Sequence, residues 1–124
     1  MLFDRSKSCL VVIDVQQYFL DKLPLDWRAP LVQRIAWLMR LAAALDIPVI
    51  ATAEDIANDG PLVPDLAKEL RPGTIVHDKM IFGLAGQLPI LADVRRQGRS
   101  DRFDAGGLPR GRDRGCDGLA ATPP

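Results

Sequence analysis

A short run of branched apolar residues near the start of the chain constrains the fold more than any other feature. Cys9-Leu10-Val11-Val12-Ile13 is apolar without interruption and ends at Asp14. A strand with one face in water alternates apolar and polar residues, whereas an unbroken apolar run is typical of a strand covered on both faces by helices. The run therefore predicts an inner strand of a parallel sheet.

Helix-like and strand-like segments alternate after this run. From Leu31 to Leu45 apolar residues recur at spacings of three and four, which predicts a helix with Pro30 in its first turn. Residues 49–52 and 74–77 predict a second and a third strand, and residues 87–97 predict a further amphipathic helix. This order is typical of right-handed β-α-β units. We therefore expect an α/β fold, with a Rossmann-like parallel sheet of about three strands and helices on both faces.

The character of the chain changes after Gln97. Residues 98–115 are dense in Gly, Arg and Asp and have neither helical nor strand periodicity. We therefore predict a partial α/β domain over residues 1–97 and a tail over residues 98–124 that is disordered or read out of frame.

Composition and charge narrow the set of partners. The 124 residues include 16 basic and 16 acidic side chains, so the formal net charge is zero and no overall field attracts nucleic acid or an anionic membrane. The first apolar run is too short to span a bilayer, and no signal-peptide pattern precedes it. We therefore expect a cytoplasmic protein that binds neither nucleic acid nor membrane.

Cysteine and histidine are scarce. Cys9 and Cys116 form neither a disulfide framework nor a CxxC metal pair, and His77 is the single histidine of the chain. We therefore predict no metal and no cofactor, and a structural role for His77.

Charged residues follow the ends of the predicted strands, where ligands bind in open parallel sheets. Asp14 closes the first strand, Glu54 and Asp55 close the second, and Lys79 follows the third. An aspartate and a lysine in one crevice can act as a base and its electrostatic partner. On spacing alone the alternative remains that Asp14 caps a turn and Lys79 is a solvated charge at a strand end.

Three segments resemble the isochorismatase-like cysteine hydrolases. Residues 10–19, with an apolar strand followed by Asp14-Val15-Gln16 and an aromatic residue, resemble the opening of that family. Residues 51–54, with Gly60 and residues 64–66 downstream, resemble its second strand and the following loop. Residues 77–83 resemble its lysine segment, in which an aromatic residue follows the lysine. The resemblance covers residues 8 to 96.

The resemblance implies hydrolysis of a C–N amide or a vinyl ether of a small molecule by an Asp-Lys-Cys triad. Asp14 corresponds to the acid that takes the cysteine proton, and Lys79 to the cation that holds the thiolate. Gln16, Phe19 and Phe82 are the candidates for substrate binding, although each also fits a turn or core position.

The nucleophile of the triad is the part that the sequence does not match. In the family it begins a helix after a fourth apolar strand that ends in glycine, and nothing of that kind surrounds Cys116. Cys9 enters the first strand at the end opposite Asp14. We therefore expect the chain as written to be an inactive, truncated or frameshifted hydrolase. The resemblance also implies further strands, one of which borders the first strand; without it, the first strand would form an exposed sheet edge of the kind that recruits other chains. The alternative is a non-catalytic α/β module that pairs with a partner, or as a homo-oligomer, through this open sheet edge.

Overall fold

The computed structural model describes residues 3–80 and 88–106, and these form an α/β domain. A 3₁₀ helix at Arg5–Lys7 precedes the first strand. The strands are β1 (Ser8–Ile13), β2 (Val49–Glu54), β3 (Val76–Lys79) and β4 (Asp101–Gly106). The helices are α1 (Gln17–Leu20), α2 (Leu25–Ala44), α3 (Ile56–Asp59), α4 (Pro64–Ala67) and α5 (Leu88–Arg96). No helix within these two ranges is long and apolar enough to cross a membrane.

The four strands form one parallel sheet in the order β3-β2-β1-β4. In register, Val11 of β1 lies opposite Ile50 of β2 on one side and Asp104 of β4 on the other. All six residues of β1 are buried, as the unbroken apolar run predicts. The expected parallel α/β fold is confirmed.

Helices cover both faces of the sheet. On one face Leu10, Val12 and Ala51 pack in a cluster with Met39 of α2 and Leu66 of α4. On the other face, a smaller cluster combines β1 and β2 with α5, and its members are Cys9, Val11, Ile13, Ile50, Ile90 and the partly buried Val94. Successive β1 residues alternate between the two clusters because side chains of a strand point alternately to its two faces. This double coverage explains why residues 9–13 of β1 are apolar on both faces.

The sheet has one strand more than expected. Residues 101–106, which lie in the segment expected to be disordered, form β4 and pair with all of β1. The local sequence does not predict this strand, because β4 has no alternating apolar pattern. It is held by backbone pairing with β1 and by a charge pair. The Arg102 Nε lies 2.8 Å from the Asp104 Oδ1 on the same face of the strand. The edge of β1 is therefore covered, contrary to the expectation of an open ladder.

Two element boundaries also differ from the expected ones. Helix α2 begins at Leu25, so Pro30 lies inside the helix and not in its first turn. Strand β3 begins at Val76, because Gly73 adopts a φ of +82° in a turn in which the Thr74 amide donates to the Arg71 carbonyl at 3.1 Å. Because β3 begins and ends later than expected, Lys79 is the last residue of the strand. The pleat of the strand therefore fixes the direction of the Lys79 side chain.

Candidate functional site

Asp14 lies where β1 ends, and both its backbone and its side chain are fixed. Its φ of +52° is in the left-handed region, which aspartate tolerates better than most residues. The Asp14 amide donates to the Thr52 carbonyl at 3.0 Å, and the Asp14 Oδ1 accepts a hydrogen bond from the Thr52 hydroxyl at 2.9 Å. The carboxylate is thereby turned toward the end of the neighbouring strands.

Lys79 reaches the same carboxylate from β3. Its Nζ lies 2.7 Å from the Asp14 Oδ2, and the two side chains are only 4% and 9% exposed, Lys79 first. The Lys79 carbonyl also accepts a hydrogen bond from the Asp55 amide at 3.1 Å. Lys79 is thus a buried partner of Asp14, and the alternative of a solvated strand-end charge does not describe it. A buried ion pair of this kind costs desolvation energy, which makes it a candidate for function more than for stability.

Thr52 is a member of the site that the sequence analysis did not single out. It is fully buried in β2, between Ile13 of β1 and His77 of β3 in register. Its hydroxyl occupies the one Asp14 oxygen that Lys79 does not contact. A threonine inside an apolar strand is common in sheets, so the sequence held no signal for this contact.

Gln16 holds the loop after β2 against the end of β1. The side chain is fully buried, and its Nε2 donates to the carbonyls of Glu54 at 2.8 Å and Gly60 at 2.6 Å. Its Oε1 accepts from the Glu54 amide at 2.7 Å. Gln16 thereby satisfies backbone groups at both ends of the segment that contains Asp55, whose amide contacts Lys79. Its polar atoms serve the loop, which is the turn role that the sequence left open.

A cavity of about 230 Å³ opens beside Asp14. Its wall is mostly apolar and combines the end of β1 with α1, α2 and β4; the lining residues are Asp14, Val15, Gln16, Phe19, Leu20, Leu23, Leu31 and Gly106. Phe19 is only 5% exposed, so it is both a core residue and part of the cavity wall. The structure therefore brings together Asp14, Gln16, Phe19 and Lys79. Phe82, the remaining candidate for substrate binding, lies outside the described residues.

Gly106, the last residue of β4, lies directly against the end of β1. A Cβ at this position would lie 2.5 Å from both the Ile13 carbonyl oxygen and the Val15 Cγ2, and the φ is +89°. Only glycine fits such a close backbone approach. Strand β4, which follows α5, thus ends in a glycine.

Cys9, the cysteine within the described ranges, lies away from the Asp14–Lys79 pair. It begins the apolar part of β1, at the end opposite Asp14, and is only 1% exposed. Burial raises the pKa of the Cys9 thiol above its ordinary value, and the positive charge of nearby Arg102 offsets only part of this increase. Cys9 is therefore an inert core thiol. Cys116 lies outside the described residues.

His77 bonds to helix α5. Its Nε2 lies 2.7 Å from the Asp93 Oδ2 of α5, and both side chains are mostly buried. The Asp93 Oδ1 also accepts from the Gln97 side-chain amide at 3.2 Å. The contact ties α5 to β3. No group of three or more His, Cys, Asp or Glu side chains within residues 3–80 and 88–106 could hold a metal ion.

Comparisons with known proteins find the same fold in solved structures. No protein-family model matches the sequence, and no curated protein matches it either. The YcaC gene product from Escherichia coli, described as an octameric hydrolase of unknown specificity, superposes with a TM-score of 0.72 at 21% identity, over 86% of this chain and 52% of that chain. YcaC from Pseudomonas aeruginosa, solved with hexane-2,5-diol and covalent acrylamide, gives a TM-score of 0.72 at 18% identity over 86% and 53%.

A third solved structure shares the same fold. The MAR1 ribonuclease from Caenorhabditis elegans gives a TM-score of 0.72 at 23% identity, over 84% of this chain and 52% of that chain. This chain therefore spans about half the length of the solved structures that it matches. The shared fold agrees with the one implied by the resemblance of the sequence to isochorismatase-like hydrolases. At these identities the likeness shows the fold alone.

Proposed function

We propose that Asp14 and Lys79 form the acid–base part of an isochorismatase-like hydrolase site that acts on a C–N amide or a vinyl ether of a small molecule. The observation that carries the proposal is the buried contact of 2.7 Å between the Lys79 Nζ and the Asp14 Oδ2, at the carboxyl ends of β3 and β1 beside the cavity. This is the place where ligands bind in open parallel sheets. The description of the E. coli YcaC protein as a hydrolase supports the same reading only at the level of the fold.

The proposed chemistry divides between three groups. The Asp14 carboxylate takes the proton of a cysteine thiol, and the Lys79 ammonium stabilises the resulting thiolate. Attack of the thiolate on an amide carbonyl breaks the C–N bond, the proton leaves with the amine, and water then hydrolyses the thioester. The proposal requires a thiol near the Asp14 carboxylate.

The thiol is the part that we propose to be missing. Cys9 is buried at the other end of β1, so within the described ranges no cysteine lies near Asp14. We therefore expect the chain as written to keep the acid, the cation and the cavity but to lack turnover. Cytoplasmic location and the absence of nucleic-acid or membrane partners stay predictions from composition.

Acrylamide tests the nucleophile, because the YcaC protein from Pseudomonas aeruginosa was solved with covalent acrylamide. The folded chain is incubated with acrylamide at neutral pH, and adducts at Cys9 and Cys116 are quantified by peptide mass spectrometry. We expect no adduct at Cys9, and at Cys116 the rate of free glutathione, equal in the wild type and in Lys79→Met. A faster rate at Cys116 that falls in Lys79→Met but not in Lys68→Met, an exposed control, would identify Cys116 as the nucleophile.

The acid–base part is tested separately with acetamide, which carries only the group common to amide substrates. Titration is followed by the backbone NMR signals of Asp14, Thr52 and the residue at position 79. We expect these signals to shift in the wild type and in Lys68→Met, and to stay unchanged in Lys79→Met. Equal shifts in all three proteins, or shifts confined to other regions, would remove the basis of the proposal.

A second candidate function is assembly through β4. Among the described strands, β4 pairs only with β1. The Phe103 side chain of β4 is 48% exposed, and its ring lies beside that of Phe3, with 5.8 Å between ring centroids. The octamer of the E. coli YcaC protein makes a homo-oligomer a reasonable candidate. Sedimentation velocity over a range of concentrations should show an oligomer that dissociates in Phe103→Glu. A monomer at every concentration would exclude this function.

A further inference from the structure

Helix α2 leaves an apolar side exposed on the surface of the domain. Its buried side chains, among them Ile35 and Met39, belong to the cluster that covers one face of the sheet. On the opposite side of the helix, Trp27 and Trp37 are 62% and 56% exposed. Leu41 lies one turn after Trp37 on the same side and is also exposed. Contiguous apolar surface of this kind is typical of sites that bind another macromolecule.

The exposed positions on this side follow one another at alternating spacings of three and four residues. We call them the outer stripe, and its members are Trp27, Pro30, Arg34, Trp37, Leu41 and Ala44, all of them exposed. Alternating spacings of three and four align side chains along one side of a helix, and they are the spacings at which two helices interlock. The outer stripe therefore fits a second helix as its occupant.

No other segment of the printed sequence carries a matching stripe. Among the described helices, α5 packs on the other face of the sheet against Ile50, and α1, α3 and α4 have four residues each. Residues 81–87 are too few for a stripe of this length, and residues 107–124 contain Leu108 and Leu119 as their only large apolar residues. The helix that complements α2 best is therefore α2 of a second copy.

Arg34 determines the direction in which two copies can pair, because it is the one charged member of the outer stripe. In a parallel pair equal positions meet, so the two Arg34 guanidinium groups would repel each other. In an antiparallel pair with its twofold axis between Arg34 and Trp37, each Arg34 lies opposite Trp37 of the second copy. A guanidinium group over an indole ring is a favourable cation–π contact. Charge therefore favours the antiparallel pair.

The same antiparallel register also matches the sizes of the side chains. Trp27 lies opposite Ala44 of the second copy, and Pro30 lies opposite Leu41, so the largest side chain meets the smallest. A twofold axis repeats each of these contacts. We infer that α2 pairs antiparallel with α2 of a second copy through the outer stripe. This interface involves neither β4 nor the Asp14–Lys79 pair, so it is independent of the functions proposed above.

Cysteine cross-linking tests this pairing. Full-length chains that carry Cys116→Ser and either Pro30→Cys or Leu41→Cys are mixed and oxidised with copper phenanthroline, and the linked peptides are identified by mass spectrometry. We expect a disulfide between positions 30 and 41 in the mixture and little cross-linking in either variant alone, because equal positions lie far apart in an antiparallel pair. Ala29→Cys, which is exposed but outside the outer stripe, replaces Pro30→Cys as the control for random collision.

Sedimentation velocity of the purified full chain measures the strength of the association. Trp37→Glu should weaken it at least about tenfold and remove the cross-link, because a tryptophan in the centre of an interface carries much of its binding energy. Trp27→Glu serves as a second variant. Both tryptophans are exposed, so the circular dichroism spectra of the variants should match that of the wild type. Phe103→Glu should leave the cross-link unchanged, because β4 lies outside this interface.

Three results would overturn the inference. A cross-link in Leu41→Cys alone that exceeds the one in the mixture would show a parallel pair. Equal cross-linking with Ala29→Cys, or a cross-link that persists in both Trp37→Glu and Trp27→Glu, would show random collision. A wild-type chain that is monomeric at every concentration would exclude a second copy as the occupant. None of these results bears on the acetamide titration, which decides the Asp14–Lys79 proposal by itself.

Discussion

At the scale of single residues, the Asp14–Lys79 pair places two charged side chains in the buried part of the domain. Taking two charges out of water is costly, and a buried pair recovers that cost only through close geometry and further hydrogen bonds. The contact of 2.7 Å and the Thr52 hydrogen bond of 2.9 Å supply both. The pair is therefore stable only while it is complete, and loss of one member should be worse than loss of both.

The first prediction follows from this asymmetry. Lys79→Met leaves the buried Asp14 carboxylate without its cation and should lower the free energy of unfolding by about 3–5 kcal/mol. Adding Asp14→Asn removes the orphaned charge, and asparagine keeps the left-handed backbone, so the double variant should recover most of the loss. Urea denaturation measures both. Lys68→Met, which affects an exposed pair with Asp65, should change the free energy by less than about 1 kcal/mol.

The second prediction concerns the pH dependence that Cys9 confers. Burial raises the pKa of this thiol in the folded state above its ordinary value of 9.0, so the folded chain holds the proton to a higher pH than the unfolded chain. This contribution to stability is complete below the unfolded pKa and is lost as the pH rises through the higher folded pKa.

Denaturant unfolding in this pH range should show the effect of the thiol. Above about pH 9 the free energy of unfolding should fall more steeply in the wild type than in Cys9→Ala, by up to about 1.4 kcal/mol per pH unit. The comparison of slopes cancels the other groups that titrate in this range. Parallel pH profiles for the two proteins would contradict the raised pKa.

At the scale of elements, β4 joins the sheet through its backbone rather than through apolar side chains. Only Ala105 of this strand is buried among apolar residues, and Arg102 and Asp104 pair with each other. The strand ends where Gly106 meets Ile13 and Val15 at distances that exclude a Cβ. The approach of β4 to the candidate site therefore depends on one glycine.

Replacement of this glycine is the third prediction. Gly106→Ala should lower the free energy of unfolding by roughly 2–5 kcal/mol, because it combines a positive φ with a clash against β1. Gly98 has a φ of +61° but no atom within 4 Å of an added Cβ, so Gly98→Ala should cost only about 1–2 kcal/mol. Thermal and urea unfolding of the two variants measure the difference. Equal losses of unfolding free energy in the two variants would mean that β4 can move away from β1 without further loss of stability.

At the scale of the whole molecule, β4 decides whether the inner strand is an edge. With β4 in place, residues 10–13 of β1 are paired on both sides, to β2 and to β4, and Ser8 and Cys9 are paired to β4. Without it, the apolar residues of β1 and their backbone groups would lose one neighbour, and exposed apolar edges recruit other chains. The domain predicted from sequence over residues 1–97 lacks this strand.

The fourth prediction tests that division. A chain that ends at Gln97 should aggregate or lose its near-native circular dichroism spectrum, whereas the full chain of 124 residues should not under the same conditions. Sedimentation velocity and circular dichroism provide the readout. A shortened chain that stays folded and does not self-associate would show that β1 tolerates an open edge.

The sequence by itself determined the α/β class, the inner position of β1, and the placement of Asp14 and Lys79 at strand ends. These features are local: apolar periodicity reports burial, and strand ends follow from where the periodicity stops. The sequence also singled out Gln16, but it left open whether this residue binds substrate or holds a turn. Its hydrogen bonds decide this, and they go to Glu54 and Gly60, which lie far along the chain.

Only the tertiary structure decided the contacts that span distant segments. The burial of Lys79, the second bond of Asp14 to Thr52 and the closeness of Gly106 to β1 each require strands that are separated by tens of residues to meet. Strand β4 has charged residues where local rules expect none, since a strand next to a fixed partner can be held by backbone hydrogen bonds that every sequence carries. Local pattern therefore determined which segments enter the sheet core, and pairing between segments determined the site.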